Sequence, residues 1–310
     1  MFRPALREYR TWAIDSRRWD FYEPRAGDIV IATASKCGTT WMQQIVGSLI
    51  FGDTIARPLS EISPWIDARA QAPASEMYRA LAEQRHRRFF KTHLPVDALP
   101  MYDEVKYIHV ARDGRDAVMS MHNHFTGFSD AQLKRFDRIG IEDISIGRRY
   151  PRLSSDPAEY FRLWISTAVV AGQTDGLPEP SFFDLEAGYW AERGRVNFLM
   201  VHYNDLSKNL DVEMRRIGAF LRIEINEAVW PSLVHAAEFE KMREAGDALM
   251  PQTTTMIGGS RRFFNKGTNG RWRDVLTDDD LARYDAKVRE KLSPDLAAWL
   301  ERGGCERGAA

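Results

Sequence analysis

Residues 28–33, Asp-Ile-Val-Ile-Ala-Thr, form a short apolar, β-branched run that gives way to a loop of small polar residues before a helical pattern takes over at 41–49. An uninterrupted run of this kind reads as a strand covered on both faces, and a strand that feeds a helix after a short loop is the building unit of a parallel sheet. The connecting string, Ser35-Lys36-Cys37-Gly38-Thr39-Thr40-Trp41, lies where the free amides of a helix N-terminus point outward. Lys36 adds a full positive charge and Thr39 and Thr40 add hydroxyls, so the loop suits an anion. It is not the G-x-x-x-x-G-K-[ST] loop of nucleoside triphosphate enzymes, because Lys36 precedes the only glycine.

The same unit recurs. Residues 89–93, Phe-Phe-Lys-Thr-His, make an extended segment stopped by Leu94-Pro95. Residues 105–111 form another buried-strand pattern, followed by the polar turn Arg112-Asp-Gly-Arg-Asp116 and a helix over 117–125. Residues 196–203 form a further strand, and 205–221 has the helical period with Asn204 or Asp205 available as its cap. Strands alternating with helices predict an α/β fold, a single domain over 1–310 with a central parallel sheet flanked by helices. Ligands of such sheets bind at the carboxyl ends of the strands, where 33–40, 91–93, 112–120 and Tyr203 converge.

With 43 basic and 44 acidic residues the chain has no overall attraction to nucleic acid or to an anionic membrane, so any anion site must be local. No window approaches a twenty-residue apolar span, and residues 1–20 do not read as an export signal. Two cysteines, Cys37 and Cys305, are too few for a disulfide framework. A cytoplasmic protein is expected, with residues 301–310 as a frayed end. His122 and His124 stand two apart on a helix, on different faces and without a third ligand, so no metal is expected.

Four ordered strings carry a resemblance to the cytosolic sulfotransferase family. Ser35 to Trp41 resembles its 5′-phosphosulfate loop P-K-S-G-T-T-W, with Ser35 for Pro and Cys37 for Ser. Lys91-Thr92-His93-Leu94-Pro95 matches K-T-H-L-P, where the family's His is the catalytic base and its Lys lies near the transferred group. Arg112 and Ser120 match the Arg and Ser, eight positions apart, that hold a 3′-phosphate; a guanidinium offers that group a bidentate grip. Phe263-Phe264-Asn265-Lys266-Gly267-Thr268-Asn269-Gly270-Arg271-Trp272 is similar to R-K-G-x-x-G-D-W, with Asn265 in the Arg place. One cationic contact is thereby missing, and Arg261 or Arg262 are the candidates to replace it. Trp41 and Phe239 fit the family's adenine-stacking positions and Tyr203 its hydrogen-bonding one.

The resemblance implies a P-loop-like phosphosulfate-binding loop and a transfer of sulfuryl from 3′-phosphoadenosine 5′-phosphosulfate (PAPS) to a hydroxyl, in preference to an amine, of a small or lipid-like acceptor. His93 would take the acceptor proton, Lys36 would neutralise the departing 5′-phosphate and Lys91 would steady the sulfuryl oxygens. By resemblance, residues 122–125 and 63–66 line the acceptor pocket, and the loops over 59–78 and 127–157 decide the acceptor. A thiol at a helix N-terminus beside Lys36 is expected to have a lowered pKa, so Cys37 should be reactive until nucleotide shields it. The family's dimer segment K-x-x-x-T-V-x-x-x-E keeps Thr277 but has Asp278 and Ala282 at the Val and Glu places, so no dimer of that type is expected. A nucleotide kinase is disfavoured by the missing triphosphate loop, and a non-catalytic scaffold by the joint presence of Lys36, Lys91 and His93.

Overall fold

In the computed structural model, which describes residues 2–224 and 226–304, four parallel strands stand in the order β2-β1-β3-β4. These are β1 (Ile29–Thr33), β2 (Phe89–Thr92), β3 (Lys106–Ala111) and β4 (Phe198–His202). The central strand β1 is buried along its whole length, and its side chains alternate between two cores. Val30 and Ala32 join Phe90, Tyr107 and Phe198 on one face. Ile29 and Ile31 join Phe89, Ile108 and Val201 on the other. The helix α1 (Thr39–Phe51) covers the second face with Met42, Ile45 and Val46, whereas the helix Gly114–Phe125 covers the first with Ala117, Val118 and Met121. Each fully buried aliphatic side chain contributes about 1.5–3 kcal/mol. The strand ends are therefore fixed points from which the site loops depart.

Below the site, the buried Asp28 carboxylate at the start of β1 accepts from the Arg88 guanidinium just before β2, locking the two strands in register. At their other ends Ala32 lies opposite Thr92, so the loop after β1 and His93 after β2 emerge side by side.

Three expectations need correcting. The helix expected over 205–221 is two helices, Tyr203–Lys208 and Leu210–Leu221, because the Asn209 side chain accepts from the Val212 amide and caps a new start. The first of them is capped by His202, not by Asn204 or Asp205. The expected loops contain the helices Leu59–Ile62, Ala74–Glu83 and Asp130–Glu142. Glu301 and Arg302 end the helix Pro294–Arg302, so the frayed stretch does not begin at 301, and Cys305 lies outside the described residues. Thr277, the one matching residue of the dimer segment, closes a capping box with Asp280 at the start of the helix Asp278–Lys291. No helix among the described residues is long and apolar enough to cross a membrane.

Candidate active site

The carboxyl ends of the strands open into one pocket of about 370 Å³. Its wall carries every catalytic and nucleotide-binding residue read from the sequence except Cys37.

The loop after β1 is shaped by two left-handed residues, Lys36 (φ 68°) and Gly38 (φ 111°). The first is an uncommon conformation for a residue with a side chain and marks a loop held in place by its surroundings. It sends consecutive side chains in opposite directions. Lys36 reaches the pocket, its Nζ 4.2 Å from the centre of the Phe263 ring. Cys37 turns inward and is fully buried. The expectation of a reactive, phosphate-facing thiol is therefore overturned: burial raises the Cys37 pKa well above the ordinary thiol value, outweighing the Lys36 charge. Ser-to-Cys exchange at this position does not weaken a side-chain grip on phosphate, because the side chain does not face the pocket. Thr39 is also engaged, its Oγ1 2.6 Å from that of Thr33. Gly38 precedes α1 with no side-chain cap, leaving the amides of the first turn free of one.

His93 follows β2 with Nδ1 2.9 Å from the carbonyl oxygen of Thr33. A carbonyl only accepts, so the hydrogen of the neutral ring sits on Nδ1 and the lone pair on Nε2. Burial, then the Lys91 charge, pushes the His93 pKa down to about 3, so the ring is neutral throughout the physiological range. Asp67 orients this corner and was not legible in the sequence. Its Oδ2 accepts from Trp65 Nε1 at 2.7 Å and from the His93 amide at 3.3 Å. The Trp65 ring in turn meets His93 edge-on at 4.9 Å and lies 5.3 Å from Lys91 Nζ.

Arg112, at the end of β3, lies over the Tyr203 ring at 4.1 Å. Its Nη1 donates to the Lys36 carbonyl at 3.2 Å, and Nε and Nη2 donate to the neutral Asn269 Oδ1 at 3.0 and 2.6 Å. The segment 263–274 is tied down a second time where the Gly270 amide donates to Asp116 at 2.6 Å. Ser120, on the helix that follows Arg112, faces the same wall. Neither candidate for the missing cation is correct: Arg262 donates to the Asn123 carbonyl and to Thr126, and neither it nor the exposed Arg261 lines the pocket. Arg271 does line it. In the aligned string Arg271 takes the family's Asp place, and that exchange was the overlooked signal.

An aromatic cleft flanks these cations. Trp41 meets Tyr203 edge-on at 5.3 Å and donates through Nε1 to the Ala237 carbonyl, two residues before Phe239. Gly267 (φ 65°) passes so close to Phe239 that an added Cβ would sit 2.7 Å from the ring. Of the stretches expected around the acceptor, Trp65, His124 and Phe125 line the pocket. Ser63 accepts from Gln43 instead, and His122 Nε2 lies 3.2 Å from the Ser154 carbonyl. Phe128, Phe136 and Tyr150 come from the stretch 127–157 expected to decide the acceptor, whereas Glu179 and the segment Met250 to Met256 had no motif to announce them.

Lys36, Lys91, Arg112 and Arg271 face one cavity, and none of them is ion-paired among the described residues. Burial lowers the pKa of Lys36 to about 7 and that of Lys91 to about 8, with the Lys91 and Arg112 charges adding to the shift at Lys36. Such a cluster is starved of negative charge. It suits an anion with several negative groups, beside a neutral imidazole able to accept a proton.

Comparison with known proteins agrees with this arrangement. A model of the sulfotransferase domain matches residues 26–294. A glycolipid sulfotransferase of Mycobacterium bovis is 32% identical, covering 95% of this chain and 94% of its own length. Sulfotransferase 1B1 of Mus musculus is 26% identical over 91% of this chain and 88% of its own. Among solved structures, mouse sulfotransferase SULT7A1 complexed with PAP superposes with a TM-score of 0.67 at 18% identity, covering 93% and 94% of the two chains. Retinol dehydratase in complex with retinol and PAP gives 0.66 at 21%, covering 90% and 84%.

Proposed function

The chain belongs to the sulfotransferase domain family, and we propose that it moves the sulfuryl group of PAPS to a hydroxyl of a small or lipid-like acceptor, with His93 as general base. The observation that carries this reading is the set of cations without carboxylate partners, Lys36, Lys91, Arg112, Lys266 and Arg271 among them, that share a cavity with a neutral, Nδ1-protonated histidine. PAPS supplies an activated sulfuryl group whose 5′-phosphate is the leaving group.

In this reading the left-handed turn at Lys36 and the uncapped first turn of α1 hold the 5′-phosphate, and Lys36 offsets the charge that builds on it. Arg112, Ser120 and Lys266 hold the 3′-phosphate, with Arg271 supplying the cation that Asn265 does not. Arg112 exchanges the neutral Asn269 oxygen for a charged one, a stronger partner. Trp41, Phe239 and Tyr203 grip the adenine, and Phe263, Phe264 and Gly267 complete that wall. Lys91 lies beside His93 and steadies the oxygens in transfer.

His93 Nε2 takes the hydroxyl proton as the acceptor oxygen bonds to sulfur and the bond from sulfur to the 5′-phosphate oxygen breaks; the proton then leaves to solvent. Negative charge entering the pocket opposes the cations that depress the His93 pKa and so restores its basicity. Positioning and charge stabilisation supply the remaining acceleration. The glycolipid sulfotransferase among the relatives and the apolar faces of Phe128, Phe136 and Met256 support a lipid-like acceptor.

The test is incubation with PAPS and a panel of phenols, steroids, alcohols and glycolipids, with sulfated product and PAP both measured by mass spectrometry. Product and PAP in equal amounts are expected. Failure of PAP to bind, together with no product from any acceptor, refutes the proposal.

A further inference from the structure

Most buried carboxylates among the described residues have a partner on at least one oxygen. Asp28 has Arg88, Asp143 has Arg69 and Arg10, Asp280 has Arg162, Glu186 has His109 and Asp67 has Trp65. Glu179 is different. It is 8% exposed and what remains open faces the pocket, yet among the described residues its carboxyl has neither a hydrogen bond nor a cation. Burial, then the charge of Asp67, pushes its pKa up to about 7. A carboxyl that lines a binding wall without a protein partner calls for a ligand that completes it.

Its position says what that ligand is part of. Glu179 lines the main pocket and also a smaller cavity of about 10 Å³ whose wall it shares with Ser35 and His93. A molecule whose hydroxyl is at His93 thus has its neighbouring atoms beside Glu179. The rest of this end mixes the aromatic faces of Phe128 and Phe136 with the amides of Gln71 and Gln132 and the guanidinium of Arg135. An ammonium there would be repelled by Lys36, Lys91, Arg112 and Arg271, which already crowd the pocket.

We infer that Glu179 receives a second hydroxyl of the acceptor, so that this enzyme prefers polyhydroxylated acceptors to mono-alcohols of the same apolar size. This rests on the reading of the pocket as a sulfotransferase site and deepens it: His93 selects the oxygen that is sulfated, and Glu179 selects the molecule that carries it.

The test separates binding from turnover. Protein loaded with unreactive PAP is titrated calorimetrically with 1,2-octanediol, 1-octanol and 2-amino-1-octanol. A hydrogen bond to a charged group is worth about 1.5–3 kcal/mol, so the diol should bind about 10- to 100-fold more tightly than the mono-ol. Glu179→Gln, which keeps the shape, should remove most of that ratio, and Glu179→Leu should remove all of it. Thermal unfolding of each variant with and without PAP verifies that it folds. Equal affinities for diol and mono-ol, tighter binding of the amino-alcohol, or a diol preference unchanged in Glu179→Gln overturns the inference. PAPS turnover of the same three compounds is scored separately: product from none of them counts against the sulfotransferase reading, while the binding ratios still decide the role of Glu179.

Discussion

Nucleotide affinity should fall steeply between pH 7 and 9, a range in which ordinary lysines stay charged. In the free protein Lys36 titrates near 7 and Lys91 near 8, both displaced downward mainly by burial. A bisphosphate binds the ammonium form of Lys36, so binding must first restore that proton. Between pH 7 and pH 9 the charged fraction of Lys36 drops from about one half to about one hundredth, while Lys91 faces the sulfuryl oxygens, which PAP lacks. The consequence is a loss of about 50-fold in PAP affinity, or about 2.3 kcal/mol. Unshifted lysines would lose less than about 10% over the same range. The phosphates do not contribute, since their second ionisation near 6 is almost complete by pH 7. The assay is calorimetric titration with PAP at five pH values, repeated at pH 8 in two buffers of different ionisation enthalpy. Uptake of about 0.9 proton per nucleotide is expected at pH 8. A flat affinity to pH 9 in protein that circular dichroism shows to be folded, with no proton uptake, refutes the argument.

Alkylation of native protein should leave Cys37 unmodified with or without PAP, because the thiol is fully buried with a raised pKa; rapid labelling at pH 7.5 would contradict its placement. Gly267→Ala brings a Cβ against Phe239 in a left-handed conformation costing about 1–2 kcal/mol. PAP should therefore bind about 10-fold more weakly, as read by calorimetry, and unchanged affinity would mean that this contact does not shape the nucleotide wall.

Much of the fold was readable because the strands are buried runs bounded by polar turns: the expected and observed limits of β1 and β3 differ by one residue. The clustering of Lys36, Lys91, His93 and Arg112 followed from the rule that parallel strands present their carboxyl ends together. The direction of a side chain within a loop was not readable. Cys37 faces inward because Lys36 adopts a left-handed φ, which no residue type at that position announces. Arg271 was hidden by a charge exchange within a recognised string, and Asp67 and Glu179 belong to no string at all. The break at Asn209 was hidden because its flanks keep the helical period while its own side chain caps a second helix.

The central claim is that His93 acts on the acceptor while Lys36, Arg112, Lys266 and Arg271 hold the nucleotide. His93→Ala separates the two roles when PAP titration and sulfuryl transfer from PAPS are measured on the same preparation. Removing a general base costs about 10²–10⁴-fold in rate, so transfer should fall by that factor while the PAP dissociation constant stays within about threefold of the parent. A parallel loss of nucleotide affinity and rate, or transfer that survives the substitution, would contradict the assignment.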